Sequence, residues 1–589
     1  MRLVRKRTTG RREAGPGKVR VMGRLRLIGL GAAAPALLLS AAAWGQGAPA
    51  PSQVEPPKIA LPVPAGHISI PQVPAGAAVP AEAKRLTFTL TGFDIDGEFP
   101  ELAAKRKAIS GGMVGRRVTV AEIFEFADRL QQIYVRAGYP LVRVVILPQE
   151  LEGSARIKLR VIDGFVERLD LDALGPQVHD RVRAVLASLV DRTHLTQSEL
   201  ERRLLIAGDT AGLTLNATFS AGKKEGGSLL ILTGDYRPVS LSLYADNAMP
   251  GVFGHDQIVS TASLNSVLGL GEQITVSAAG LPSRDFGSDD PTRRYLSAKV
   301  AVPIGTDGWT LEFGGTDGVT TPRVSADAAT QGTLKQVYGK LSYDLVKLRN
   351  LDLAVFGQIE ATDEEIDTLQ FTPAIPLSLD RVRPVRFGVE GTWRMPVSGT
   401  TIAFASTFSH GLDALGARMA ADATPLVPLS RQGADADFNK WDGRVQIVQA
   451  LPQDFSVTAI LAGQTSFNRP LLRSEQFDID GSRALSGFTS GSLSGDTAWV
   501  ARAELARAFA VPVGKDPLTL SPYVFAATGE RTYVAPTALE VRNLRASEYG
   551  MGLRISMAGG YGFAEWSHRT TDDHSLDGDG IFTGLALQY

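Results

Sequence analysis

From about Tyr236 to Tyr589 the chain consists of short runs in which apolar and polar residues alternate, separated by Gly, Asp, Asn and Pro. Val239, Leu241, Leu243 and Ala245 stand opposite Ser240, Ser242 and Tyr244, and Ile274, Val276 and Ala278 stand opposite Thr275, Ser277 and Ala279. The pattern continues with Leu296, Ala298, Val300 and Val302 against Tyr295, Ser297, Lys299 and Ala301, and with Trp309, Leu311 and Phe313 against Thr310 and Glu312. A period of two sends successive side chains to opposite faces of a strand, one suited to lipid and the other to water. Nowhere in this region is there an apolar run near the ~20 residues of a transmembrane helix. If the chain enters a membrane it must do so as a closed barrel, which leaves no backbone group unpaired in hydrocarbon. At roughly 22 residues per strand and turn, the region supplies about 16 strands. A soluble sandwich or propeller would have similar turns, so the rest of the chain has to decide.

The amino terminus favours the membrane. Arg2 to Arg26 holds ten Lys or Arg and one Glu, and Leu25 to Ala43 is an apolar run rich in Ala, Leu and Gly that ends in small residues before Trp44. That is the layout of a signal peptide, read here as residues 1–47 with Met22 as an alternative start. Pro35, and the Pro-rich stretch that follows, argue against an uncleaved anchor. Beyond Arg26 the chain has 51 basic against 61 acidic residues, which excludes nucleic acid as a partner because binding it needs a basic surface. With no cysteine, disulfides, zinc–cysteine sites and thiol catalysis are excluded.

Residues 48–85, with nine prolines between Pro49 and Pro80, read as an extended linker of polyproline character. Residues 86–164 read strand, helix, helix, strand, strand. Ile123, Phe124, Phe126, Ala127, Leu130, Ile133 and Tyr134 lie at helical spacing, Gly138 ends that helix, and a hairpin turns around Pro148 to Gly153. Residues 165–235 repeat the order. The expected architecture is therefore α+β modules followed by an all-β region, a transmembrane antiparallel barrel over 236–589.

Within the barrel region Glu475, Phe477, Ile479, Gly481, Leu485, Ser486, Gly487 and Phe488 lead through Gly495 and Asp496 into a strand. In that strand Trp499, Ala501, Ala503 and Leu505 share one face, and Arg502 and Glu504 share the other. This loop and strand resemble those of two-partner secretion transporters, the hemolysin secretion/activation proteins, whose pattern is Glu-x-Phe-x-Ile-Gly-Gly, Val-Arg-Gly-Phe/Tyr, Gly-Asp and a strand ending Glu-Leu. Asp246-Asn247, Leu268-Gly269-Leu270-Gly271-Glu272, Gly463-Gln464 and Pro470-Leu471 are similar to the family too, as are the module residues Tyr139, Pro148, Gln149 and Gly153.

The resemblance implies two periplasmic polypeptide-transport-associated (POTRA) modules that capture an unfolded secreted client, with Tyr139, Pro148, Gln149 and Gly153 as the module motif. It also implies an outer-membrane barrel in contact with lipid, whose terminal Tyr589 is the signal read by the barrel-assembly machinery, and a loop that folds into the lumen. The strand residues facing that loop would be Arg502, Glu504, Phe525, Ala527 and Gly529. Three positions depart from the pattern: Asp480 replaces a glycine, Ser486 the loop arginine, and Ala527 the aspartate of a Phe-x-Asp-x-Gly strand motif. Because both members of that charge pair are missing together, the loop is expected still to fold inward, held by Phe488 and polar contacts, with Arg483 or Arg502 supplying the positive charge.

No catalytic, cofactor or metal site is expected. Gly269 and Gly271 lack the Lys-Ser/Thr of a phosphate loop. The acidic tract Asp572 to Gly580 lacks the ligand series of an EF-hand, the seven histidines are scattered, and there is no Gly-x-Ser-x-Gly. The reading is a secretion transporter rather than an enzyme; the alternative is a barrel-insertion factor, which more than two modules or a loosely paired first-to-last strand seam would favour.

Overall fold

The computed structural model describes residues 48–57 and 79–589, apart from 289, 326–328, 482, 483, 515 and 539. The expected signal peptide and Arg483 lie outside the described residues.

The first module runs β1 (Thr87–Asp96), α1 (Ala103–Ser110), β2 (Arg117–Thr119), α2 (Val120–Arg136), β3 (Arg143–Ile146) and β4 (Ser154–Ile162). Its sheet has the order β2-β1-β4-β3, with β1 and β4 parallel. The three-residue β2 is too short to leave a period in the sequence. α2 starts at a capping box: Glu122 N–H donates to Thr119 Oγ1 at 3.2 Å, and Thr119 N–H donates to the Glu122 carboxylate at 2.6 Å. Its apolar stripe, Ile123, Phe126, Leu130 and Tyr134, packs on Phe88, Leu90, Ile157 and Leu159 of the sheet.

The second module runs β5 (Phe165–Ala173), α3 (Pro176–Leu186), α4 (Gln197–Gly208), β6 (Leu213–Ala221) and β7 (Gly227–Tyr236), in sheet order β5-β7-β6. The modules are joined rather than strung. Leu141 belongs to the second module's core, His194 stacks on Phe99 with ring centroids 4.2 Å apart, and Gln197 N–H donates to Gly138 O at 2.8 Å.

After β7 the chain forms a closed antiparallel barrel from Val239–Asp246 round to Gly578–Gln588. Eighteen hydrogen-bonded segments make sixteen strands, because two strands are each interrupted once, at Arg383 and at Ala508. The outer face carries Leu241, Leu243, Leu296, Val300, Phe313, Phe387, Leu461 and Leu585, all exposed, while the inner face carries buried charges. Apolar residues bare to the outside and charges within suit a barrel in lipid. Among the described residues no helix is long and apolar enough to cross a membrane.

The first and last strands close the barrel with register pairs from Asp246↔Gly584 to Ser242↔Gln588. Leu241 and Tyr589 then exchange backbone hydrogen bonds at 2.9 and 3.1 Å. At the other end Asn247 extends the pairing: its N–H donates to Thr583 O at 3.3 Å, and its side chain accepts from Thr583 N–H at 2.8 Å and donates to Ile581 O at 2.9 Å.

The second module meets the barrel at three turns: Lys347 pairs with Asp209 at 2.8 Å, Ser266 Oγ donates to Ala211 O at 2.7 Å, and the third turn is the one around Thr306. Arg202 and Arg203 of α4 donate to Asp307 O and Thr306 O, each at 2.8 Å, and Arg181 of α3 donates to Gly305 O.

Candidate functional site

The long connection after the strand Phe455–Thr465 turns back into the lumen instead of outward. It is a hairpin, with Phe477–Asp478 paired to Ser494–Gly495. Phe477, Ile479, Leu485, Phe488 and Leu493 form an apolar cluster with Ala498, Val500, Ala527, Leu544 and Ala546 of the wall. Burial of these side chains supplies the adhesion, and polar contacts fix the register.

Both ends of the hairpin are gripped by buried charge. At the entry the Glu475 carboxylate accepts from Arg386 at 2.9 and 3.1 Å, lies 2.8 Å from Lys440 Nζ, and Arg386 also holds Glu360. At the exit Asp496 accepts from Arg431, from Leu471 N–H at 3.0 Å and from Val534 N–H at 2.7 Å. The Gln464 amide joins the two ends, donating to both Glu475 O and Asp496 O at 3.1 Å. Asp480 accepts from Gly491 N–H at 3.1 Å and Ser492 Oγ at 3.2 Å and so shapes the hairpin interior.

The tip rests on a row of lumen-facing residues that the strand registers bring together: Arg502, Ala527, Glu548 and Arg569, each the cross-strand partner of the next. Glu548 accepts from two successive loop amides, Ser486 N–H at 2.9 Å and Gly487 N–H at 2.8 Å. Arg502 donates to Ala484 O at 3.1 Å, Ser486 Oγ at 2.7 Å and Glu565 at 2.7 Å. Its guanidinium lies 3.7 Å from the Phe525 ring centroid. Arg569 donates to Gly487 O at 2.5 Å and sits over the Phe488 ring. Glycine at 487 lets the turn approach the wall, since a Cβ there would come within 2.2 Å of Ser567 Oγ and 2.6 Å of Glu548 Oε2 and would push both side chains aside. Gly529 likewise leaves room for Ile479, whose Cδ1 would be 3.1 Å from a Cβ at 529. Glu504 is held by Arg554. Gly481 takes a φ of 62°, which favours glycine at the bend.

The module motif is not gathered at one surface. Gln149 completes the β3–β4 hairpin, with its amide bonded to Leu147 O and to the Lys158 backbone on both sides. Gly153, after Pro148, turns at a φ of 57°. Tyr139 lies at the joint between modules, edge-on to Phe99 and donating to Glu101 at 3.1 Å.

The expected Pro-rich linker is not uniformly extended: Ala81–Lys84 is a 3₁₀ turn, and so is Pro51–Val54, which lies inside the lumen. There Tyr295 Oη donates to Pro51 O at 2.5 Å, Arg293 donates twice to Val54 O at 2.6 and 2.9 Å, and Ser52 N–H donates to Glu364 at 2.8 Å. A Cβ at Gly332 would strike Pro51, and one at Gly491 would strike Pro49. Prolines promise a linker in any sequence, and recognition through backbone carbonyls leaves no side-chain pattern to read.

The acidic tract forms an outer hairpin in which Asp577 accepts from Thr571 N–H, and among the described residues no group of three or more His, Cys, Asp or Glu could hold a metal ion. No local motif marks Glu548, Glu565, Arg569, Arg386 or Lys440 in the sequence. Alternation places each on a polar face, but only the register shows which meet the loop.

Two tandem POTRA-like modules ahead of a sixteen-strand barrel with a re-entrant loop define a class of outer-membrane protein with periplasmic modules. The model of the family described as "Haemolysin secretion/activation protein ShlB/FhaC/HecB" matches residues 226–549, and that of the ShlB-type POTRA domain matches residues 88–164. The chain belongs to the ShlB/FhaC/HecB family. It is 22% identical over 498 residues to the heme/hemopexin transporter protein HuxB of Haemophilus influenzae strain 86-028NP, covering 81% of this chain and 83% of that one. It is 25% identical over 226 residues to the hemolysin transporter protein ShlB of Serratia marcescens, covering 38% of each. The solved structure of CdiB from Escherichia coli superposes with a TM-score of 0.67 at 17% identity, covering 94% of this chain and 98% of that one.

Proposed function

We propose that this protein captures an unfolded exported partner with its two periplasmic modules and passes it through the barrel to the cell surface. The observation that carries the reading is how the lumen is filled. Sixteen strands enclose a channel wide enough for water, and here it is occupied by two pieces of backbone, the hairpin Phe477–Gly495 and the segment around Pro51–Val54. Both are held by hydrogen bonds and local packing, and the hairpin by buried ion pairs at its two ends as well; each is one continuous segment that can leave as a unit, whereas a lumen packed with side chains from every strand would offer no path. Client entry follows from the sheet edges. Among the described residues β6 has a strand neighbour only on its β7 side, so its other side is a sheet edge along which an extended client strand can add. The partner is a large secreted protein, in line with relatives described as a heme/hemopexin transporter and a hemolysin transporter, and an exposed strand edge recognises it as an extended, unfolded segment. Two modules and a seam paired through Tyr589 support secretion over barrel insertion.

The test is export of a co-expressed large exported protein encoded beside this chain. Removing residues 79–236 should abolish its appearance at the surface while the barrel still assembles. Undiminished export without the modules would overturn the capture role.

A further inference from the structure

The hairpin tip has no charged side chain of its own at Ser486, yet it sits against two buried carboxylates, Glu548 and Glu565, exposed 3% and 4%. Two buried carboxylates facing one loop turn need a cation between them. Among the described residues the guanidinium that reaches both belongs to the wall. Arg502 donates to Glu565 at 2.7 Å and lies 3.6 Å from Glu548. It simultaneously donates to Ser486 Oγ and Ala484 O. Arg569 bonds the carbonyls of Gly487 and Leu576 instead, and Arg554 holds Glu504. Ala527 stands between Arg502 and Glu548 in the cross-strand row, and its small side chain lets the two converge over the loop.

We infer that Arg502 is the positioning residue of the re-entrant loop: one guanidinium between Glu548 and Glu565 docks the Ser486–Gly487 turn, and the site requires that cation whether the wall or the loop carries it. A serine at 486 is the complement of an arginine at 502, since a hydroxyl both accepts from the guanidinium and donates to Glu565. The two positions are therefore exchangeable as a pair and not singly. This inference deepens the proposed function, but its test needs no client, so its failure would leave the export reading standing.

The chain has no cysteine, so Thr489→Cys in the full-length protein in lipid vesicles reports loop docking through its rate of reaction with a charged maleimide. Arg502→Ala should raise that rate by roughly ten- to hundredfold, because two buried carboxylates lose their shared cation. The exchanged pair Ser486→Arg/Arg502→Ser should return it to within about threefold of the parent, a rescue that loss of packing alone would not show. A folded Arg502→Ala barrel that labels at the parental rate would overturn the inference. If Arg502→Ala does not assemble, the exchanged pair decides: an assembled, slowly labelled barrel supports it, and failure to assemble or rapid labelling overturns it.

Discussion

The modules and the barrel lumen bury their chains by opposite means. The first module closes over Phe88, Leu90, Phe126, Leu130, Ile157 and Leu159, with side chains meeting through area alone. The loop in the lumen has an apolar patch too, but its place is set by Arg386, Glu475, Lys440, Arg431, Asp496, Arg502 and Glu548. Area burial is non-directional and tolerates substitution of like volume. Charge pairs in a poorly hydrated lumen are directional, and they stabilise only while both members are present. The difference suits the two tasks, since a module must stay folded while a client comes and goes, whereas a lumenal loop must have one closed position and a way to leave it.

The sharpest way to break the contrast is Arg386→Ala. It strips the guanidinium from buried Glu475 and Glu360 and should destabilise the docked loop by roughly 3–5 kcal/mol. Planar-bilayer recordings should then show a larger or more frequently open pore; a closed pore indistinguishable from the parent would mean the entry charges do not hold the loop. Leu130→Ala, in the centre of the first module, should cost about 2–5 kcal/mol through lost burial and a cavity. Urea unfolding of the modules should shift to lower midpoint while pore conductance stays unchanged, and a conductance change would tie the two regions together more tightly than their cores suggest.

At the outer hairpin the same kind of pair stands in water. Hydrogen bonding to Asp577 raises the His574 pKa above its usual value, so the pairing is full at pH ~6.5 and somewhat below while Asp577 stays ionised, and it fades as pH rises through the folded value of His574. An NMR titration of His574 should show this upward shift, and Asp577→Asn should remove most of it, leaving the smaller pull of Asp572 and Asp573, with little effect on barrel stability.

The sequence disclosed the two regions unequally for the same reason. The module cores are written in local periods, such as Ile123, Phe126, Leu130 and Tyr134 at helical spacing, and the barrel's two faces follow from alternation. The loop was visible from its motif residues, Phe477 to Phe488. Its sockets were not, because Glu548 and Glu565 become neighbours of Ser486 only through three successive strand registers, and nothing local in the sequence states a register. The Pro51–Val54 segment was hidden differently: its buried polar partners Tyr295, Arg293 and Glu364 bind backbone carbonyls and an amide, which nearly every residue has.

The central claim, that the re-entrant loop must leave its place for a partner to pass, can be tested by locking it there. Ser490 N–H donates to Ala248 O at 3.0 Å, so Ala248→Cys with Ser490→Cys brings two thiols within reach of a disulfide in a chain that has no other cysteine. Surface display of the co-expressed partner should stop when the bridge is oxidised and resume on adding reductant. Display at the parental rate with the bridge fully formed would contradict the account.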